Sequence, residues 1–423
     1  MSIASEIIRT GTVRRVLRCS ISRLKTDMTY DDDWVDISHY VVSYGAVSWG
    51  YNDTASYGDT QIAGTTLVLN NSDRKFNNEA DYSSLFLGYK TRYRTKFKIE
   101  RGFIDENGLE NIVWLTWYGI LYSDPENHAD GTISLSIAPM IKVFENYTAY
   151  GLETTSGTTE QLVGRICQKT VNGVRVFDQY FNGLDDSARY KINTGGAAVT
   201  TISTPSFREN DTCWKKIQDY CTYDHFIPYV DYLGAFVWEK RTESASLAWV
   251  FNGPGSFDND YGVNIISINY EIDGNDSVYT RVAVEYQENT FVVDNVAWTP
   301  GDGSYPDVYG ERTYSKQFYD LSIGDAATVA SNILTHTKTP RRKWEIDTPC
   351  IPHLQLNDLV EINYSGPIYP TTGVFVIGVS TLGGTDVLGR ALGSINLIGV
   401  RAKIIGIVIN LDSDVCTFTL EEI

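Results

Sequence analysis

A chain of 423 residues exceeds what one hydrophobic core usually serves, so two to four domains are expected. Its formal charge of -18 excludes a protein whose main work is gripping phosphate backbones, because that takes clustered Lys and Arg. A hydrophobic share of 42% is globular, and 28 Tyr and 9 Trp against 12 Pro favour a β-rich chain, since aromatic side chains fit a pleated, half-buried surface.

Cys19, Cys167, Cys213, Cys221, Cys350 and Cys416 follow no regular spacing and read as buried free thiols in a reducing compartment. Residues 1–23 alternate charges with short apolar pairs, unlike a signal peptide, and no run approaches the roughly 18 apolar residues of a membrane helix. The expectation is a soluble protein made in a cytoplasm and not exported by the usual route.

In chain order, residues 14–18 and 21–24 form an opening strand, Asp31, Asp32 and Asp33 a solvated turn, and 34–57 continue in β fashion. Thr65, Leu67 and Leu69 then alternate with Thr66, Val68 and Asn70, and the polar cluster 70–73 closes the strand before Phe76. Two more strands, 96–101 and 113–122, follow, and Gly119 in the second marks a bulge or a close backbone contact. Asp130-Gly131 is a hairpin signal, and 132–143 place Ile133, Leu135 and Ile137 on one face. This completes a β domain near residue 150.

The pattern changes at Thr158, which makes a capping box with Gln161 before Leu162, Val163, Ile166 and Cys167 at helical spacing. After a Gly/Ser/Thr-rich stretch, 193–206, a second helix starts at Asp211 or Thr212 with Trp214, Ile217 and Cys221 near one stripe. A hairpin over 226–240 turns at Asp231 to Gly234. Strands at 264–270 and 278–286 follow, and 288–320, with Gly301, Gly303, Pro306 and Gly310, read as a long loop. Asp325 caps a helix whose apolar face is Ala326, Ala327, Val329, Ala330, Ile333 and Leu334, and a strand covers 343–346. A strand pair through 351–362 carries Asn357-Asp358, a glycine-rich loop spans 383–399, and a hairpin of 402–410 with 416–421 ends the chain.

Chemistry leaves a thin trace. No Gly-x-Ser-x-Gly elbow is present, and His39, His128, His225, His336 and His353 lack a partner motif. Cys213, Cys221 and His225 share a helical stripe, but their spacing differs from zinc-ligand pairs, and buried thiols beside Trp214 account for them more simply. The run Asp258-Asn-Asp260-Tyr-Gly262 lacks the third acid and final Glu of a calcium loop. Neither Gly253-Pro-Gly255 nor Gly301-Asp-Gly303 leads into Lys-Ser/Thr or a helix as a phosphate cradle does. The 53 acids cannot select a glycosidase pair, and the aromatic residues read as core before they read as a carbohydrate platform. No catalytic, cofactor-binding or metal-binding residue is therefore assigned.

Three stretches in order resemble the tail hub and baseplate hub proteins of bacteriophages. The first is the strand ending in Asn70, with Asp73 and Phe76 in its turn and Gly119 in a later strand; Arg74 stands where that family has Gly. The second is the helix before the hairpin with Asp231 and Gly234. The third is the Ala-rich helix at Asp325, an Arg-rich lead into a strand, and the turn at Asp358, with Asn357 replacing the usual Gly. The resemblance implies a mainly β (α+β) fold of two tube-like antiparallel β-barrels with peripheral helices and hairpins. Residues 1–150 would form the first barrel, 151–262 a peripheral α+β segment, and 263–423 the second barrel. It further implies a homotrimeric ring in a virion. Such a ring joins a hexameric tail tube or distal tail protein to a spike, tip or fibre protein, and DNA passes transiently through an acidic lumen that does not hold it. The competing expectation is a tail-associated cell-wall hydrolase or glycosidase, or a carbohydrate-binding tail protein.

Overall fold

Strict alternation builds the first of two large sheets. In Thr65–Asn70, Leu67 and Leu69 are fully buried while Thr66 and Asn70 face out. The antiparallel neighbour Thr132–Pro139 sets Leu135 opposite Leu67 and Ile133 opposite Leu69, so both strands feed the same core. Eight strands join here, in the order Val35–Asp36, Arg14–Ser22, Lys96–Ile104, Glu110–Leu121, Thr132–Pro139, Thr65–Asn70 and Val41–Tyr44, with Glu126–Asn127 added to Thr132–Pro139. The computed structural model describes residues 14–22, 30, 33–51, 60–76, 95–104, 110–240, 246–253, 263–272, 278–286, 289–294, 310–338, 341–349, 351, 353–368, 393–413 and 415–423.

A second eight-stranded sheet runs Leu247–Asn252, Leu359–Ile368, Gly393–Ile409, Val415–Glu422, Arg342–Pro349 and Ser267–Ile272. Its other two strands, Val47–Tyr51 and Thr60–Ala63, come from the N-terminal part of the chain. Along one edge of Gly393–Ile409 the strand Leu359–Ile368 pairs as far as Lys403, and Val47–Tyr51 takes over from Gly406 to Ile409. At that handover Gly50 faces Gly406, and a Cβ on Gly50 would meet the Gly406 Cα at 3.2 Å. Within the described residues the pairing is antiparallel apart from Leu247–Asn252 with Leu359–Ile368, Tyr190–Ile192 with Phe236–Lys240, and Arg281–Tyr286 with Thr313–Phe318. The fold is mainly β.

Inward residues of both large sheets, among them Leu67, Ile99 and Leu135 from one and Trp249, Ile346, Ile404 and Phe418 from the other, form one continuous core. Among the described residues, α1 (Thr159–Cys167), α2 (Asp186–Arg189), α3 (Cys213–Asp224) and α4 (Ile323–Thr337) lie beside it. With the hairpin Phe226–Val230/Phe236–Lys240 and the three-stranded sheet of Asn289–Asp294, Arg281–Tyr286 and Thr313–Phe318, α1, α3 and α4 close a second core. The box of Thr158 and Gln161 caps α1, and Thr212 caps α3 through Lys215 N.

Several expectations need correction. The stretch 288–320 holds two strands, Asn289–Asp294 and Thr313–Phe318. Their register sets Asn289–Asp294 antiparallel to Arg281–Tyr286, with Tyr286 opposite Asn289, and Thr313–Phe318 parallel to it on the other side. Residues 393–399 are strand as well: Gly399, at φ +67, makes a bulge opposite Asn363, whose Oδ1 accepts its N–H at 2.8 Å. The cap of α4 is Ser322, and Asp325 stands at the third helical position, where its carboxylate closes the box. Cys350, Asp258 to Gly262, Gly301, Gly303, Pro306, Gly383, Gly384 and Gly389 lie outside the described residues. The other five cysteines are buried and form no disulfide.

Candidate functional site

Each motif position fixes a turn or a close contact. After Thr65–Asn70, Asn71 Oδ1 accepts the Phe76 N–H at 2.9 Å and the Asn71 carbonyl accepts the Arg74 N–H at 2.9 Å. Asn70 Oδ1 accepts Ser72 N–H and Asp73 Oδ1 accepts Lys75 N–H, so the loop is tied by side chains at successive positions. Phe76 is buried edge-on against Tyr40, with ring centroids 5.1 Å apart. Arg74, at the place of the expected Gly, takes the left-handed φ of +58. Gly119 has no room for a side chain, because a Cβ would lie 2.5 Å from both the Trp117 ring and Ile137 Cγ2. The strand is regular there, so the close contact, not a bulge, explains this glycine.

The second motif is a rigid tip. Asp231 Oδ1 accepts Leu233 N–H and Ala235 N–H, Oδ2 pairs with Lys191 Nζ at 2.6 Å, and Gly234 turns the chain at φ +83. A Cβ on Gly234 would meet Asn182 Nδ2 and, at 3.1 Å, the ring of Tyr118, the neighbour of Gly119. The other end of this hairpin reaches the third motif, where the Lys240 carbonyl accepts from Asn357 Nδ2 at 3.5 Å. Asn357 takes φ +71, the left-handed conformation for which Asn substitutes for Gly. Asp358 Oδ2 accepts Gln355 N–H at 2.8 Å, burial pushes its carboxyl up to about 6, and Lys403 Nζ donates to the Asn357 carbonyl. Asp325 stands apart on α4, where its carboxylate also accepts Ser203 N–H at 3.3 Å.

The residues weighed for chemistry do not converge. Cys213 Sγ faces the Thr148 carbonyl at 3.5 Å, Cys221 Sγ accepts from Trp238 Nε1 at 3.0 Å, and His225 packs against the ring of His336. Burial pushes the Cys213 thiol up to about 12 and that of Cys221 higher, so neither is a ready thiolate. Among the described residues no group of three His, Cys, Asp or Glu could hold a metal. A groove of about 330 Å³ beside Gly64 is lined by Thr66, Tyr122, Ser136, Pro139 and Lys142, and Lys142 pairs with Glu145. It contains neither His nor Cys nor a carboxylate, and its lysine is engaged with Glu145.

Sequence reasoning missed the buried charges that tie these parts together. Arg101, 3% exposed on the first sheet, donates to the carbonyls of Asn410 and Ser413 on the second at 3.3 and 3.1 Å. Lys403 and Glu421 sit opposite each other across two strands, both fully buried. The available signal was a charge at an inward position of an apolar alternation, as in Ala402-Lys403-Ile404.

No family profile matches the chain by sequence, and neither does any characterised protein. Solved structures similar to it include the tail protein from Neisseria meningitidis MC58, at 10% identity and a TM-score of 0.49 over 96% of each chain. The prophage tail protein gp18 from Listeria monocytogenes EGD-e is similar at 11% identity and a TM-score of 0.46, over 95% of this chain and 94% of that one. The 43 kDa tail protein of prophage MuSo2 from Shewanella oneidensis is similar at 9% identity and a TM-score of 0.46, over 95% and 97%.

Proposed function

We propose that this chain is a structural component of a phage tail, a hub whose subunits form a trimeric ring between tail tube and spike or fibre. The observation that carries the reading is the hairpin Phe226–Lys240, locked at its tip against Tyr118 of the first sheet and at its end against Asn357 of the second. The side-chain networks at the motif positions hold two β units in one fixed relation, as a ring-building subunit requires, and do not prepare a reacting group. In this reading residues 1–150 and 263–423 supply most of the two tube-like units, Val47–Tyr51, Thr60–Ala63 and Leu247–Asn252 lend strands to the second, and the rest of 151–262 is peripheral. The subunit meets a tail tube or distal tail protein on one face and a spike, tip or fibre protein on the other, within a virion assembled in the bacterial host. A formal charge of -18 suits a wall past which DNA slides without being held.

Light scattering on the purified chain, combined with negative-stain images, tests this. A mass of about three chains and three-fold rings are expected, and the same preparation should not degrade cell-wall substrate. A strictly monomeric chain at high concentration, without rings, overturns the proposal, and lytic activity lost on changing one carboxylate or His would favour the hydrolase instead.

A further inference from the structure

Two histidine rings pack against each other, tilted by 46°, where the helices meet the second sheet. His225 ends α3 at φ +58 and is 3% exposed, and His336 stands in the last turn of α4, with the ring centroids 3.7 Å apart. Arg341, just beyond α4, brings Nη2 to 3.2 Å from His336 Nδ1 and Nη1 onto the fully buried carboxylate of Glu421. A guanidinium has only donors, so His336 Nδ1 accepts, and this contact holds only while that nitrogen carries no proton. The second ring is equally averse to charge. Burial first, then His336, Lys240 and Arg341, keep His225 well below the usual histidine range, with the Asn332 backbone acting the other way.

We propose that His225, His336, Arg341 and Glu421 form an acid-released latch: with both rings neutral it holds the ends of α3 and α4 to the C-terminal sheet, and protonation of either ring opens that junction while both large sheets stay folded. Other charges on the packed elements are engaged elsewhere. Asp224 on α3 accepts from Thr159 and Thr200, Glu160 and Arg165 on α1 bond Asn193 and the carbonyls of 153, 155 and 156, and Lys142 pairs with Glu145. On Arg281–Tyr286, Arg281 pairs with Glu311 and Glu285 accepts from Ser315, while Arg342 pairs with Glu422 beside the latch. Asp219, on the opposite side of α3 toward Lys316 and Asp320, is pushed up to about 6 by burial, so acid acts there in the opposite sense.

The sign is fixed by linkage. A base whose folded pKa is depressed contributes stability that is complete above its unfolded value, about 6.5, and is lost as pH falls through the folded one. Hydrogen exchange with mass spectrometry at pH 7.5 and pH 5.0, corrected for intrinsic rate, reads the opening. Amides of residues 221–230 and 330–345 should exchange at least about tenfold faster at the lower pH, and those of Thr65–Asn70 and Leu359–Ile368 should not change. In the double variant His225→Asn/His336→Gln, whose Asn suits the left-handed position, the difference should vanish; if that variant does not fold at pH 7.5, His225→Asn alone should show a smaller difference than the wild type. An unchanged wild-type profile, acid loosening spread over both sheets, or loosening that persists in the folded double variant or undiminished in the single one each overturns the latch. If neither variant folds, the wild-type profile alone decides.

Discussion

At the scale of single residues, the turns of this chain are made by side chains that stand in for backbone. Asn71, Asp231 and Asp358 each use a short polar group to accept N–H groups that a tight turn leaves unpaired. Asp358 does so inside the fold, and its carboxyl, pushed up to about 6 by burial, binds a proton more tightly there than in the unfolded chain. A carboxyl raised in this way contributes stability that is complete below about pH 4 and is lost as pH rises through 6. Urea unfolding of Asp358→Asn should accordingly lack part of the decline in stability between pH 4 and 7, on the order of 1–3 kcal/mol. A pH profile identical to that of the parent chain contradicts the assignment.

At the scale of elements, periodicity made most strands and all three long helices legible, because a half-buried strand or helix must repeat its apolar residues at a fixed spacing. Leu67 and Leu69, Ile133 and Leu135, and the Ala326, Val329, Ala330 and Ile333 face of α4 were readable for that reason. What escaped was pairing that local signals do not announce. Asn289–Asp294 pairs antiparallel with Arg281–Tyr286 inside a stretch that reads as loop, and Gly393–Ile409 runs as a strand through a glycine that serves as a bulge. The turns at Asn70 to Phe76 and Asp231 to Gly234 were legible, but the approach of Tyr118 and Asn357 to the two ends of one hairpin was not, since these residues are far apart in sequence. The start of α4 offers a direct check: Ser322 Oγ accepts Asp325 N–H and donates to its carboxylate. Ser322→Ala should cost about 1 kcal/mol in thermal melting, and Asp325→Ala should add little once Ser322 has been changed.

At the scale of the whole molecule, one core under two sheets makes their relative placement a matter of packing and not of a linker. Arg101 adds direction to that packing, because its guanidinium satisfies two carbonyls of the other sheet from a site almost closed to water. Arg101→Met keeps the stem and removes the donors, leaving those carbonyls short of a partner. A loss of roughly 2–4 kcal/mol in urea unfolding is expected, largely insensitive to salt because the contacts are buried. A loss near zero would mean that the sheets are registered by apolar shape alone.

The hairpin Val47–Tyr51/Thr60–Ala63 gives this architecture a history as well as a shape. It leaves the ribosome well ahead of the edge it docks on, since Gly406 to Ile409 is translated more than three hundred residues later. At about 5–20 residues per second that is a wait of roughly 20–70 s with a strand edge open to any passing neighbour. The second sheet therefore receives its border from a segment made long before its last strands, and a nascent chain released before residue 406 carries an unmatched edge.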